Sequence, residues 1–298
     1  MNSKPNFLIV GAAKAGTTSL ARYLNKHPDI FVPEIKEPRF FVKDILMTTN
    51  NLDPLKKHIL ESSVFDEVDY FKMYDVKEKM TCDASVHYLY HHKEVIPKIN
   101  KYLGDIPIII IIRNPIDRLV SNYNYLKRYD LKSIEDEIKN ENFKIENNYN
   151  SFWLFKELGL YADSIAAYKE SFCNVKIIIF EDFVLNTQNV YDDCIEWLNL
   201  PKQGNLINFK KYNETKKSNT IHKILFFSGI TKFFKLFIKK DKIGLLKRKY
   251  LLTKVEKKPE INSCLRKKLI EYYRKDIDML KEDHNLDLSL WQKDFKVI

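Results

Sequence analysis

Four side chains, well separated along the chain, are of types that could hold an anion and move a proton: Lys14, Glu37, Arg113 and Ser121. Lys14 lies within Gly11-Ala12-Ala13-Lys14-Ala15-Gly16-Thr17-Thr18-Ser19. The two glycines permit backbone conformations a side chain forbids, and the alanines keep bulk away from an approaching group. The amides of Ala15, Gly16, Thr17, Thr18 and Ser19 fall where a helix begins, at the positive end of its dipole. Phosphate groups favour that end, and Lys14 adds a full charge. Arg113 and Ser121 form a second anion-holding pair, the guanidinium offering a forked contact and the hydroxyl a single one. Glu37 precedes Pro38, which favours extended backbone, so its carboxylate projects from a rigid loop and could accept a proton from a substrate hydroxyl. Each has a plainer reading. The glycine turn could serve packing alone, Arg113 could cap a sheet edge, and Glu37 could pair with Lys36 or Arg39 at the surface.

The glycine spacing resembles a Walker A loop but departs from it at the chemically important position. Thr17 follows the second glycine where a nucleotide triphosphatase has lysine, and the lysine here lies inside the loop. Such a loop suits a 5′-phosphate better than a triphosphate with its metal. Val175 to Phe180 followed by Glu181-Asp182 imitates the acidic second element of a triphosphatase, so a P-loop kinase of a small metabolite stays open as an alternative.

These side chains need elements to hold them. An apolar run from Phe7 to Gly11 predicts a strand, and Thr17 to Leu24 a helix. His27 to Pro33 predicts a turn into a short second strand, and residues 44–80 a helical, charge-mixed stretch. Thr81 to Ser85 ends another strand, with Asp83, Ser85 and His87 on one side of an extended segment by alternation. Five consecutive isoleucines, Ile108 to Ile112, predict a parallel strand buried on both faces, with Arg113 at its carboxyl end and Pro115 opening the next helix. A helix is expected from Gly159 to Phe172, a strand from Val175, a short helix closing at Trp197 to Pro201, and an amphipathic helix from Leu265 to Leu280. The elements predict an α/β fold of the P-loop type, three layers with a central, mostly parallel sheet flanked by helices.

The chain of 298 residues reads as a single domain, 1–298. Net charge is +10, and residues 201–298 carry 25 basic against 11 acidic residues, so the excess lies in the last third. Such a surface suits an anionic partner or a solvated face. Lysines 210, 211, 216 and 217 mark a loop over a charged ligand, and about 222–250 a basic amphipathic segment repeats Phe226, Ile230, Phe233 and Phe237 at helical spacing. That segment is an appendage suited to peripheral membrane contact or to the core, too charged to span. The four cysteines lack metal-ligand spacing, no metal is expected, and the N-terminal residues lack the pattern of a signal peptide or anchor. A cytoplasmic chain is expected, at most peripheral to the inner face of the membrane.

In order and spacing these residues resemble the sulfotransferase family that uses 3′-phosphoadenosine 5′-phosphosulfate, in particular the branch with bacterial carbohydrate and heparan-type enzymes. Gly11 to Ser19 resembles the 5′-phosphosulfate loop, Glu37-Pro38-Arg39-Phe40-Phe41 the catalytic-acid segment, and Arg113 with Ser121 the 3′-phosphate site. Gly159-Leu160-Tyr161 and Ile179 to Asp182 match later parts of the pattern. The resemblance implies sulfuryl transfer to a hydroxyl or amine of a carbohydrate or glycolipid. It implies Glu37 as base and Lys14 stabilising the leaving phosphate. No metal and no nucleic-acid partner are implied. Arg39 stands where the family often has histidine, and Ala84 where heparan-type enzymes have lysine near the acceptor, so heparan itself is not favoured. A non-catalytic nucleotide-binding, membrane-associated protein is the third reading.

Overall fold

A computed structural model describes residues 4–77, 79–203 and 261–295. The loop at 208–220 and the basic segment at 222–250 lie outside the described residues.

Five strands form one sheet: β1 (Phe7–Gly11), β2 (Ile30–Phe31), β3 (Met80–Asp83), β4 (Ile108–Ile112) and β5 (Val175–Ile179). Their order is β2-β3-β1-β4-β5, and every neighbouring pair is parallel. The isoleucines of β4 are stiff at χ1 and apolar on both sides of the pleat. All five are fully buried, which requires helices on both faces of the sheet.

Two groups of helices supply that cover. Thr17–Leu24 packs with Thr187–Trp197, and His92–Leu103 packs with Ala162–Ser171, which also meets the long helix Ser263–Glu282. Pro115–Leu126 starts with proline at its first position, where no amide bond is lost, and Asn114 caps it by accepting from the amides of Ile116 and Asp117.

The expectation of an extended segment through His87 is corrected. The strand ends at Asp83, and His87–Tyr90 is a helical turn, so His87 does not alternate with Asp83 and Ser85. Glu181 and Asp182 likewise do not end a strand. They lie in the first turn of the helix Phe180–Leu185, which begins as soon as β5 stops.

The C-terminal part of the chain is locked to the helix starts that follow the strands. Asp276 accepts from the amides of Tyr161 and Ala162 at 2.9 to 3.0 Å, supplying bonds that the start of Ala162–Ser171 lacks. Trp291, fully buried, donates its indole N–H to Glu181 at 2.7 Å. The other oxygen of Glu181 accepts from the amide of Asn114 at 3.1 Å, and the Asn114 side chain donates to Asp294 at 3.0 Å.

Candidate active site

The chain builds β1, β2 and β3 on one side and then returns to lay β4 on the other side of β1. The carboxyl ends of β1 and β4 therefore lie side by side where the strand order reverses, the place at which open α/β sheets bind ligands. Lys14 and Arg113 both follow those strand ends. The Ala12 amide donates to the Ile111 carbonyl at 2.6 Å, and Arg113 Nη1 donates to the Lys14 carbonyl at 3.2 Å. The loop is thus tied to the end of β4.

Close packing shapes the loop. Gly16 adopts φ +95°, and a Cβ there would lie 2.8 Å from the ring of Phe180. The same ring lies under the Arg113 guanidinium at 4.6 Å from its centroid, so Phe180 supports both the turn and the arginine. Lys14 Nζ lies 4.2 Å from the centroid of Tyr125. Tyr125 stands one turn beyond Ser121 on Pro115–Leu126, so Ser121 shares the helix face that meets the lysine. No hydrogen bond joins Ser121 to Arg113 among the described residues.

Burial, followed by the positive charge of Arg113, holds the Lys14 ammonium down to about 8, with Glu37 pulling it the other way. Burial also lowers Arg113, whose Nε is buried and meets no partner among the described residues. A buried lysine depressed by a neighbouring arginine, beside an orphaned guanidine N–H, favours an anion between them.

Glu37 lies close to this loop with both oxygens engaged. Lys36 Nζ donates to Oε1 at 3.0 Å and Arg39 Nη2 to Oε2 at 2.8 Å. Burial pushes its pKa up, but Lys36, Arg39 and the nearby His87 outweigh it and the carboxyl is held down to about 2. The ion pair named as the plainer reading is present with both partners. It is half-buried, not a surface contact. Lys36 also donates to Thr17 Oγ1 at 3.4 Å, which joins the Glu37 segment to the first helical residue of the loop.

A buried network fixes the segment from below. Asp83 accepts from Ser85 at 2.7 Å, Tyr88 at 2.8 Å and Tyr70 at 3.0 Å, and Ser85 Oγ accepts from the Arg39 amide at 3.0 Å. Arg39 itself adopts φ +57°. Full burial raises Asp83 to about 6 despite these donors. His87 is buried against Phe152, and burial, followed by Arg39, lowers it to about 3. It is a neutral imidazole at neutral pH.

Lys36 as a bridge, Tyr125 against Lys14, and the Asp83 network were not legible as site features in the sequence. Tyr125 is signalled only by its spacing of four from Ser121, and Lys36 only by adjacency to Glu37. Glu181 proves to be a structural acceptor for Asn114 and Trp291, which removes the resemblance to a metal-holding acid.

A glycine turn tied to an arginine where the order of a parallel sheet reverses, with a carboxylate segment joined to that turn through Lys36, is the arrangement of a P-loop-like α/β fold. The family model described as "Sulfotransferase family" matches residues 5–204, and the chain belongs to that family. A sulfotransferase from Alicyclobacillus acidocaldarius superposes with a TM-score of 0.72 at 26% identity, covering 97% of this chain and 99% of that one. The mouse sulfotransferase SULT7A1, solved with PAP, superposes at 0.50 with 12% identity over 96% and 91% of the two chains, a likeness of fold. The membrane-associated sulfotransferase kil1 of Dictyostelium discoideum is 26% identical over 121 residues, which is 41% of this chain and 23% of that relative. Among the described residues no helix is long and apolar enough to cross a membrane.

Proposed function

We propose that this chain transfers the sulfuryl group of 3′-phosphoadenosine 5′-phosphosulfate to a hydroxyl or amine of a carbohydrate or glycolipid. The observation that carries the reading is the junction of the two anion holders, Arg113 Nη1 to the Lys14 carbonyl at 3.2 Å. The residues fit the donor: an orphaned Arg113 Nε, a glycine turn with no room for a Cβ at Gly16, and a surplus of cations.

When bound, the donor supplies a sulfuryl group whose bond to the 5′-phosphate oxygen breaks as the acceptor atom forms its bond to sulfur. Transfer of this kind rests on positioning and charge stabilisation. Lys14 and the amides of Ala15, Gly16, Thr17, Thr18 and Ser19 hold the 5′-phosphate and neutralise charge growing on it. Arg113 and Ser121 hold the 3′-phosphate. Glu37 orients the acceptor and takes its proton.

Turnover of the donor against a panel of glycan, glycolipid and phenolic acceptors tests this reading. Glu37→Gln is expected to lower turnover by about 10²- to 10⁴-fold, the usual contribution of a positioned base, with binding of 3′-phosphoadenosine 5′-phosphate retained. A purified chain that binds magnesium-ATP but not the bisphosphate overturns it in favour of a kinase. We further propose a cytoplasmic chain that meets the inner membrane face peripherally; the relative named as a membrane-associated sulfotransferase supports the membrane contact alone. Co-sedimentation with anionic vesicles checks that part.

A further inference from the structure

Lys36 holds a position that the chemistry assigned so far leaves unexplained. Its ammonium lies 3.4 Å from Thr17 Oγ1 and 3.0 Å from Glu37 Oε1, so it stands between the loop that holds the donor's phosphate and the carboxylate that faces the acceptor. In sulfuryl transfer the group that moves occupies the space between leaving phosphate and base. A lysine spanning those two landmarks is placed at the sulfuryl group, while Lys14 is placed at the phosphate.

The competition between partners matters as much as the position. Glu37 is hemmed in by Lys36, Arg39 and the neutral ring of His87. Arg39 is pinned in place by Glu37 and by Ser62, Ser63 and, through its amide, Ser85. Among the described residues the Lys36 ammonium makes the two hydrogen bonds named above, on a flexible four-carbon stem whose three N–H donors can re-aim.

Resting on the donor assignment above, we propose that Lys36 is a shared cation: it is the partner of Glu37 before the donor binds, and it turns to the sulfuryl oxygens once the donor is present. The exchange does two things with one side chain. It stabilises negative charge on the group being transferred, and it withdraws from Glu37 a cation that makes the carboxylate a poor proton acceptor. Glu37, still paired with Arg39, becomes a stronger base when a donor is in place.

Calorimetric binding to the intact chain, without acceptor and so without turnover, separates this from a merely structural ion pair. Two ligands are compared, 3′-phosphoadenosine 5′-phosphosulfate and 3′-phosphoadenosine 5′-phosphate, which lacks the sulfuryl group. Lys36→Met is expected to weaken the phosphosulfate by about tenfold more than the bisphosphate, the scale of one lost charge-assisted hydrogen bond. Glu37→Gln frees the lysine from its competitor and is expected to tighten the phosphosulfate severalfold, a gain that disappears in the double variant. Equal losses for both ligands in Lys36→Met, or weaker phosphosulfate binding in Glu37→Gln, overturn the proposal. Should Lys36→Met fail to fold, the Glu37→Gln comparison decides alone. Failure of the parent to bind either ligand overturns the donor assignment itself, so the two failures are distinguishable.

Discussion

Asp83 shows how a single buried carboxyl sets the geometry of groups it never touches. It gathers three hydroxyl donors, and one of them, Ser85, turns its own oxygen to the Arg39 amide. Burial raises Asp83 from an ordinary 3.8 to about 6, so the folded chain keeps a proton that the unfolded chain releases. The folded state therefore binds more protons between about pH 4 and 6, and stability falls as pH rises through that window. Asp83→Asn is expected to flatten this fall, by on the order of 2 kcal/mol between the two ends. Denaturant unfolding of parent and variant across the window measures it. The candidate residues were legible in the sequence because each carries its own signal: a lysine among small residues, a carboxylate before proline, an arginine after an apolar strand. What was not legible is that Glu37 is doubly paired, because a pairing depends on where Lys36 and Arg39 point after the loop has folded.

At the scale of elements, the strand, turn and helix from Phe7 to Leu24 behave as a single unit whose tight point is Gly16. Its left-handed backbone excludes a side chain, and so does the Phe180 ring, 2.8 Å from where a Cβ would stand. Gly16→Ala is expected to cost about 1–3 kcal/mol, the range for a strained backbone position, and to displace the Arg113 guanidinium that shares the Phe180 ring. Thermal unfolding together with bisphosphate binding checks both effects. Strands were readable wherever β-branched residues ran together, as at Ile108 to Ile112. The segment after Asp83 was not, because Asp83, Ser85 and His87 imitate an alternating strand while Val86 already carries helical backbone angles. Glu181 and Asp182 misled in a similar way, since an acidic pair after an apolar run reads alike whether it binds metal or starts a helix.

For the whole molecule, the family match ends at residue 204, yet the part that follows packs on the helices Pro115–Leu126 and Ala162–Ser171. Leu269, Tyr273, Ile277, Leu280 and Trp291 are all buried, Asp276 satisfies the amides of Tyr161 and Ala162, and Asp294 satisfies the side chain of Asn114. Removing 204–298 uncovers those apolar surfaces and takes Trp291 from Glu181 and Asp294 from Asn114. The shortened chain is expected to lose cooperative unfolding, as monitored by calorimetry or near-ultraviolet circular dichroism. Sequence periodicity revealed the last helix but not its dependence on the first two hundred residues, since long-range docking leaves no local pattern.

The indole of Trp291 is linked through one carboxylate to the residue that follows Arg113. Binding of 3′-phosphoadenosine 5′-phosphate that shifts the Asn114 amide is expected to change the emission of this buried ring, which fluorescence with and without the bisphosphate measures.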